Sequence, residues 1–301
     1  MVKTKELVEL EIKMKAIEKG NLACPGCQLN LAFKHSLTAL GNNAIVVIPA
    51  CCTSVIQGAG QGYGMHVPIM NVAFASAPPV ASAIARKMKI DGKDTSVVVW
   101  AGDGGTSDIA FAALSGAAER DEDILYIMYN NAGYQNTGNQ KSGVSPRGAK
   151  TSTTKTGKTS RPKNVARMML AQDVKYVATA NTAYPQDLFD KITRAANEFK
   201  GHFRYIEIFS PCPPGWVVDT RDTVQVAKLA TETGIWPLWE AVDSKITLSR
   251  IGRRFANPEK RKPVEEYFGL QGRYRGVDQN LLELAKGDID FEWAWVNKFI
   301  D

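Results

Sequence analysis

The chain has 301 residues, of which 44% are hydrophobic and 23% are charged, so it can bury a substantial core as one large domain or two small ones. No apolar run approaches the roughly 20 residues of a membrane-spanning helix, so the sequence excludes a helical membrane protein and we expect no membrane partner. Residues 1–21 are charged and periodic and do not resemble a secretory leader. We therefore expect a cytoplasmic protein.

The net charge of +6 is concentrated in one segment of the chain. Residues 141–163 hold seven cations and no acid, which leaves the remainder about neutral (+6 minus +7). The segment lacks the aromatic residues that stack on bases, so it does not indicate nucleic-acid binding. We interpret it as a solvated, mobile loop. The alternative is a loop that meets an acidic subunit or a phosphorylated substrate.

The first third of the chain combines helical and strand patterns. Apolar spacing predicts the following elements: helices over 4–19, 28–40 and 80–89, a buried strand over 44–49, and a short apolar segment over 68–74. The glycine-rich stretch 58–64 misses the G-x-G-x-x-G spacing, because Tyr63 stands where the third glycine belongs. We expect a flexible loop over a site and no nucleotide binding there.

The central stretch, residues 95–138, is predicted to be a strand–helix–strand unit. A β-branched run at 97–99 leads into Gly102-Asp103-Gly104-Gly105, and a second apolar run at 124–129 stops at Asn130-Asn131. Ligands of such units bind at the carboxyl ends of the strands. Asp103 and Asn131 both follow a strand end, and their oxygens suit Mg²⁺ together with a phosphate. The sequence therefore predicts a metal and phosphate site.

The remaining elements complete an alternating pattern. We predict helices over 164–172, 186–199 and 222–233 and strands over 175–180 and 203–209. Alternating strands and helices indicate an α/β fold with a mostly parallel sheet flanked by helices. Because the chain becomes highly charged after this point, we predict a domain over 1–235 and a C-terminal extension over 236–301 that wraps the core or a partner subunit.

Five cysteines form a second candidate site: Cys24, Cys27, Cys51, Cys52 and Cys212. An odd number, without an export signal, argues against a disulfide framework. The C-x-x-C pair, one of the two adjacent cysteines and the last cysteine supply the four thiolates that a [4Fe–4S] cluster requires. From spacing alone, the two alternatives, a zinc site and buried structural thiols, are together as good an interpretation as the cluster.

The central stretch also matches the thiamine-diphosphate motif, in which G-D-G is followed some 25 residues later by N-N. Here residues 105–129 separate Gly104 from Asn130, and each half of the motif follows a predicted strand. The alternative is a structural turn and an asparagine-rich loop. The strand context makes the cofactor motif the stronger interpretation.

Several motifs together give the chain a specific resemblance. They are Ala23-Cys-x-x-Cys27, Cys52-Thr-Ser-Val55, Gly102-Asp-Gly-Gly-Thr-Ser-Asp-Ile109, Asn131-Ala-Gly-Tyr-Gln-Asn-Thr-Gly138, Tyr176-Val-Ala-Thr-Ala180, Ala183-Tyr-Pro185, Ser210-Pro-Cys-Pro213 with Gly215-Trp216, Glu232-Thr-Gly234, Lys262-Pro-Val-Glu-Glu-Tyr267 and Leu270-Gln-Gly-Arg273. The chain resembles the β, thiamine-binding subunit of the 2-oxoacid:ferredoxin oxidoreductases, the pyruvate:ferredoxin oxidoreductase group. These motifs span most of its length.

The resemblance implies a role for each matching residue at the cofactor. Asp103, the Asn131 side chain and the Gly133 carbonyl would hold Mg²⁺. Other positions would lie against thiamine diphosphate, namely Gly102, Gly104, Gly105, Thr106 and Thr53. Asn136 would face the thiazolium ring and the substrate, and we expect it to be the catalytic residue of this chain.

The resemblance also assigns the cysteines. Cys24, Cys27, Cys52 and Cys212 would bind a [4Fe–4S] cluster, and Cys52 rather than Cys51 aligns with the family cysteine because Val55 follows it at the family spacing. This favours the cluster over zinc. The family's Cys-Leu-Glu-Val is Cys52-Thr53-Ser54-Val55 here, so a carboxylate near the site is lost. Gln28 and Asn130 also depart from many relatives.

The activity implied by the resemblance is oxidative decarboxylation of a 2-oxoacid, with pyruvate as the first candidate, to acyl-CoA and CO₂. Electrons would pass through the cluster to ferredoxin. The implied partners are an α subunit that supplies the activating glutamate and γ and ferredoxin-like δ subunits. Alternatives are another acid (2-oxoisovalerate, 2-oxoglutarate, oxalate or an aryl-glyoxylate), a non-redox thiamine-dependent lyase, and a subunit that has lost turnover.

Overall fold

One mixed sheet forms the centre of the protein. The structure, a computed structural model, describes residues 2–18, 20–58 and 64–300. Its strands are β1 (Ala44–Pro49), β2 (Ile69–Val72), β3 (Ser96–Gly102), β4 (Leu125–Asn130), β5 (Tyr176–Asn181), β6 (Arg204–Phe209), β7 (Trp239–Val242) and β8 (Lys245–Leu248). They are ordered β2-β1-β3-β4-β6-β5-β7-β8. Strands β1 to β6 pair parallel, whereas β7 pairs antiparallel with β5 and with β8, which confirms the predicted α/β fold.

Helices cover both faces of the sheet. They are α1 (Thr4–Met14), α2 (Gln28–Leu40), α3 (Cys52–Ile56), α4 (Ala77–Ile90), α5 (Phe111–Glu119), α6 (Val165–Leu170), α7 (Pro185–Asn197), α8 (Pro213–Trp216), α9 (Thr223–Glu232), α10 (Arg250–Ala256), α11 (Val264–Gly269) and α12 (Gln279–Val296). The predicted helices and strands are all present, with ends that differ by a few residues.

The central strands are continuous apolar runs because they lie in the core of the protein. Strands β3 to β6 are buried along almost their whole length, because helices pack on both of their faces. On one face, Val97 and Val99 pack with residues of α4, α5 and α6. On the other face, Val98 and Trp100 pack with residues of α2 and α7. The carboxyl ends of the parallel strands therefore open onto one edge of a rigid scaffold.

The first helix is shorter than the predicted 4–19. It ends at Met14 because Lys15 adopts a left-handed conformation with φ of 47°, which terminates a helix. The chain then turns back so that Ile17 makes an antiparallel bridge to Met65. Of the glycine-rich stretch 58–64, only Gly58 and Gly64 belong to the described residues.

The C-terminal residues continue the sheet. Strand β7 pairs antiparallel with β5, and β8 pairs with β7. From α12, Trp293 and Val296 are buried in the same core as the central strands. The division after residue 235 stays a prediction, but the first strands of the predicted extension belong to the same sheet as the rest of the chain.

The basic segment 141–163 is packed against the protein, so the interpretation as a solvated, mobile loop is wrong. Arg147 and Arg161 both pair with Asp288 of α12. Lys158 is buried and donates to the carbonyls of Gly143 and Ser145, and burial lowers the pKa of Lys158 to about 8. Three of the seven cations thus pair with acids of the chain itself, and Lys150 and Lys158 donate to backbone carbonyls.

None of the helices within residues 2–18, 20–58 and 64–300 combines the length and the apolar character needed to cross a bilayer.

Candidate cofactor and thiol site

Two neighbouring strand ends bring the predicted metal ligands together. Strands β3 and β4 are parallel and in register, with Gly102 opposite Tyr129. Asp103 follows β3 and Asn131 follows β4, so both side chains lie at the same edge of the sheet. Asp103 is fully buried and Asn131 nearly so. The strand–helix–strand geometry predicted from the sequence is therefore present.

Three oxygen-bearing groups converge at this edge. One terminal atom of the Asn131 amide lies 2.8 Å from Asp103 Oδ1 and 3.0 Å from the Gly133 carbonyl oxygen. If the nitrogen occupies this position, it donates two hydrogen bonds. If the oxygen occupies it, three oxygens face each other at about 3 Å, the separation of neighbouring ligands around a Mg²⁺ ion with bonds of about 2.1 Å. The donor set therefore fits the ion, and the amide satisfies the same groups in its absence.

The electrostatics of Asp103 favour a cation beside it. Burial raises the pKa of the Asp103 carboxyl to about 7, although hydrogen bonds oppose the rise. The Ser142 hydroxyl donates to Oδ2 at 2.5 Å, and the Asn131 backbone N–H donates to Oδ1 at 3.2 Å. A divalent cation at the site would stabilise the ionised form that burial alone disfavours.

Glycines form the wall of a cleft next to these oxygens. A Cβ atom on Gly104 would lie 2.5 Å from the Tyr134 ring, and one on Gly105 would lie 3.1 Å from the Phe74 ring. The cleft is lined by Ala50, Cys51, Cys52, Phe74, Gly102, Gly104, Gly105, Tyr129, Asn131, Gly133, Tyr134, Gln135, Asn136 and Thr137. Only glycine leaves room here for these rings and a close backbone approach by a ligand.

The remaining predicted cofactor residues differ in their exposure. Asn136 is exposed at the mouth of the cleft, where it can contact a ligand. Thr53 and Thr106 have fully buried side chains. The Thr53 hydroxyl accepts from Trp100 Nε1, and the Thr106 hydroxyl donates to the Gly102 carbonyl. These two side chains support the walls of the site from behind, so a direct role at the cofactor would fall to their backbone groups.

The four predicted cluster ligands lie near one another. Cys27 precedes α2, Cys52 begins α3, Cys212 precedes α8, and Cys24 is exposed. Burial is the main cause that raises the pKa of the thiols of Cys27, Cys52 and Cys212, and the neighbouring thiols raise it further. Every pair among the four cysteines is coupled in this way.

The cysteines are not arranged as a binding site for a single metal ion. Among the described residues, no three or more His, Cys, Asp or Glu side chains form a group that could hold one metal ion. The thiols share one region without closing on a common point. Cys51 lies beside Cys52 on the wall of the cleft.

Hydrogen bonds join the cleft to the thiols, a link that the sequence did not predict. The backbone carbonyl of Asn131 accepts from Trp216 Nε1 at 2.7 Å and from Gln135 Nε2 at 2.9 Å. Asn139 Nδ2 donates to the carbonyl of Gly215 at 3.1 Å. The only signal in the sequence was that Gly215 and Trp216 closely follow Cys212. The loop after β4 and the segment after β6 therefore form one unit.

Three polar side chains of the N-terminal part of the chain have partners within the protein. Gln28 is buried and donates from Nε2 to Thr223 Oγ1 at 3.0 Å. The exposed His66 lies 2.6 Å from Glu18, and the buried His35 pairs with Glu11. The geometry thus leaves a cleft with oxygen ligands and a neighbouring group of thiols as the candidate site.

Comparisons with known proteins agree with this geometry. Residues 52–208 match the family described as thiamine pyrophosphate enzyme, C-terminal TPP binding domain. The chain is 37% identical to ketoisovalerate oxidoreductase subunit VorB of Pyrococcus abyssi, over 94% of this chain and 92% of that protein. It is 42% identical to pyruvate synthase subunit PorB of Methanothermobacter thermautotrophicus, over 86% of this chain and 90% of that protein.

A solved structure supports the same fold. The 2-oxoglutarate:ferredoxin oxidoreductase from Magnetococcus marinus aligns with a TM-score of 0.61, over 91% of this chain and 94% of that chain. The two sequences are 21% identical.

Proposed function

Since this chain belongs to the β subunits of the 2-oxoacid:ferredoxin oxidoreductases, which are thiamine-dependent and work in multi-subunit complexes, we propose that it is the catalytic subunit of such an enzyme. Its reaction is the oxidative decarboxylation of a 2-oxoacid to acyl-CoA and CO₂. The observation that carries the proposal is the convergence of Asp103, Asn131 and Gly133 next to four coupled thiols. One site thus combines the ligands for a diphosphate-bound cation with the ligands for a redox centre.

The residues of this chain hold and orient the cofactor in this proposal. When bound, thiamine diphosphate supplies a nucleophilic carbon and an electron sink for decarboxylation. Asp103, Asn131 and the Gly133 carbonyl would hold Mg²⁺, and the glycines of the cleft wall would allow the close approach of the diphosphate. Asn136 orients the substrate by hydrogen bonding from the mouth of the cleft. The base that activates the aminopyrimidine is a glutamate of the α subunit.

The thiols would hold the redox centre. Cys24, Cys27, Cys52 and Cys212 would ligate a [4Fe–4S] cluster, and such a cluster supplies one-electron chemistry when bound. Iron analysis of the anaerobically purified chain, with absorbance at about 400 nm from thiolate-bound iron, tests this assignment. Zinc in place of iron would contradict it.

Exposed apolar residues near the site support docking of partner subunits. Val55 on α3, Ile109 after the glycine turn and Val217 after α8 are 44%, 49% and 63% exposed. They flank the cysteines and the cleft in sequence, where the α subunit must reach to supply its glutamate. We propose that the γ and δ subunits complete a cytoplasmic complex.

Pyruvate is the substrate that we propose first, with 2-oxoisovalerate as the alternative. Relatives of similar identity are named for different acids, so identity does not decide between them. The decisive experiment is reduction of methyl viologen by the assembled complex under anaerobic conditions, with a panel of 2-oxoacids and with or without coenzyme A. We expect coenzyme A-dependent reduction that is fastest with pyruvate, and none with the D103N complex.

The outcomes separate the substrate from the reaction. Faster turnover with another acid would overturn pyruvate and leave the reaction class intact. No reduction with any acid, although thiamine and iron are bound, would overturn the proposed function.

A further inference from the structure

Arg273 is a buried cation without an acidic partner. Only 4% of its surface is exposed. Its Nε donates to Gln271 Oε1 at 2.9 Å and its Nη2 donates to the Tyr267 hydroxyl at 3.1 Å, and both acceptors are neutral. Within the part of the chain that the structure describes, no aspartate or glutamate forms an ion pair with it. Burial of a cation without a counter-charge is costly, so the position calls for an anion.

Three other shielded arginines of the protein have carboxylate partners. Their pairs are Arg204 with Asp123, Arg167 with Glu292 and Arg147 with Asp288. Each of these arginines has a carboxylate within salt-bridge distance. Arg273 is more buried than Arg147 and Arg167 and lacks a carboxylate partner. Arg261 lacks one as well, but it is only half-buried and donates to the carbonyls of Phe255 and Ala256.

Trp216 links Arg273 to the segment that carries Cys212. The guanidinium carbon lies 3.6 Å from the centre of the Trp216 ring, a cation–π contact. Trp216 belongs to the short helix that Cys212 precedes, and its backbone N–H donates to the Cys212 carbonyl at 2.9 Å. The positive charge of Arg273 lowers the pKa of the Cys212 thiol, against the larger effect of burial.

We propose that Arg273 is the counter-charge of the iron–sulfur cluster and makes the one-electron reduction of that cluster more favourable. The proposal rests on the proposed function, because it needs the cluster that the four cysteines would hold. Four thiolates outweigh the positive charge of an iron–sulfide core, and reduction adds a further negative charge, so a nearby cation stabilises the reduced form. Arg273 is a positioning residue for charge and is not a ligand.

The test compares matched variants of the full chain, reconstituted anaerobically with iron and sulfide. R273Q and R273M remove the charge, and R273M keeps an aliphatic stem over Trp216, so loss of folding in one variant does not remove the test. R273K keeps the charge. R275Q is the control, because Arg275 is exposed two residues further along the chain. The readouts are iron content and the midpoint potential from an EPR-monitored redox titration.

We expect the neutral variants to bind iron and to lower the equilibrium constant for reduction at least tenfold, a shift of about 59 mV to more negative potential. R273K should shift less, and R275Q should match the wild type. Cluster loading should also raise the melting temperature of the wild type more than that of R273Q, since only the wild type gains a charge pair.

Two results would overturn the proposal, and they differ from each other. Iron-loaded R273Q and R273M with the wild-type potential would overturn the role of Arg273 alone. A wild-type chain that takes up no iron would overturn the cluster assignment of the proposed function and this inference with it.

Discussion

At the scale of single residues, the Asn131 amide can satisfy its neighbours both with and without a metal ion. Its amide reaches Asp103 and the Gly133 carbonyl at 2.8 and 3.0 Å, and rotation by half a turn exchanges donor for acceptor. The same side chain can therefore hydrogen-bond both groups without a metal and join them as an oxygen ligand when one is present. This requires no movement of the backbone.

The first prediction concerns this side chain. N131A removes one of the three protein ligands that we propose for Mg²⁺, so we expect the affinity for thiamine diphosphate in the presence of Mg²⁺ to fall on the order of 100-fold. A calorimetric titration of the chain measures it. T137A, at the exposed rim of the same cleft, is the control and should bind as the wild type does. Equal affinity of N131A and the wild type would remove Asn131 from the ligand set.

The second prediction concerns the glycine wall. In G104A the new methyl group would lie 2.5 Å from the Tyr134 ring, so the ring must move and the cleft must change shape. We expect a loss of about 1–3 kcal/mol in the free energy of unfolding, measured by urea denaturation, and weaker cofactor binding. G287A on α12, where nothing lies within 4 Å, should be neutral or slightly stabilising. A wild-type stability for G104A would contradict the prediction.

The third prediction concerns pH and Glu207 on β6. Burial raises the pKa of its carboxyl to about 7, opposed by hydrogen bonds from Asn130 and Tyr205, while the charge of Asp103 raises it further. Because the native pKa is raised, this group stabilises the fold fully below about pH 4, and the contribution is lost as the pH rises through 7. E207Q should therefore be more stable than the wild type at pH 8, by at most about 3 kcal/mol.

Denaturation curves of both proteins between pH 5 and about pH 8 measure this difference. The difference between the two proteins reports the ionisation of Glu207 together with its repulsion of Asp103, because the two carboxylates raise each other's pKa. A gap between the two curves that stays constant across this range would contradict the assigned pKa.

At the scale of elements, the basic segment and α12 form a unit that the sequence could not reveal. Asp288 lies 127 and 141 positions along the chain from the two arginines that it holds. Local patterns show seven cations without an acid, and only the fold brings the acids to them. Asn164 and Arg167, which follow the segment, bind Glu292 of the same helix.

The fourth prediction tests this unit. D288N removes the charge that joins Arg147 and Arg161 to α12, and we expect trypsin to cleave residues 147–163 several-fold faster than in the wild type. The free energy of unfolding should fall by about 1–2 kcal/mol. E283Q is the control, since Glu283 is exposed and contacts its own helix. Unchanged cleavage of D288N would mean that the segment is held by its buried residues alone.

At the scale of the whole molecule, the C-terminal residues complete the sheet. Strand β7 covers the edge of β5, and Trp239 and Trp293 are buried in the shared core. The sequence suggested a tail, because most residues of α10 to α12 are charged or polar and only a few of their side chains are buried. Antiparallel pairing with a strand some 60 residues earlier leaves little local trace.

The fifth prediction follows from this arrangement. A chain that ends at residue 235 loses two strands and the tryptophans above, so we expect it not to fold cooperatively. Circular dichroism and the hydrodynamic radius measure this. Coexpression with residues 236–301 should restore part of the fold. A wild-type melting transition of the fragment alone would instead support an independent domain over 1–235.

The sequence by itself determined the fold class, the central strand–helix–strand unit and the family, because these depend on local periodicity and short motifs. The glycines, Asp103 and Asn131 could be predicted because they follow strand ends within one unit. The tertiary structure alone decided what joins Trp216 to the Asn131 carbonyl, what holds the basic segment and where Arg273 lies. Those contacts connect residues that are far apart in the chain, and local sequence patterns do not predict such contacts.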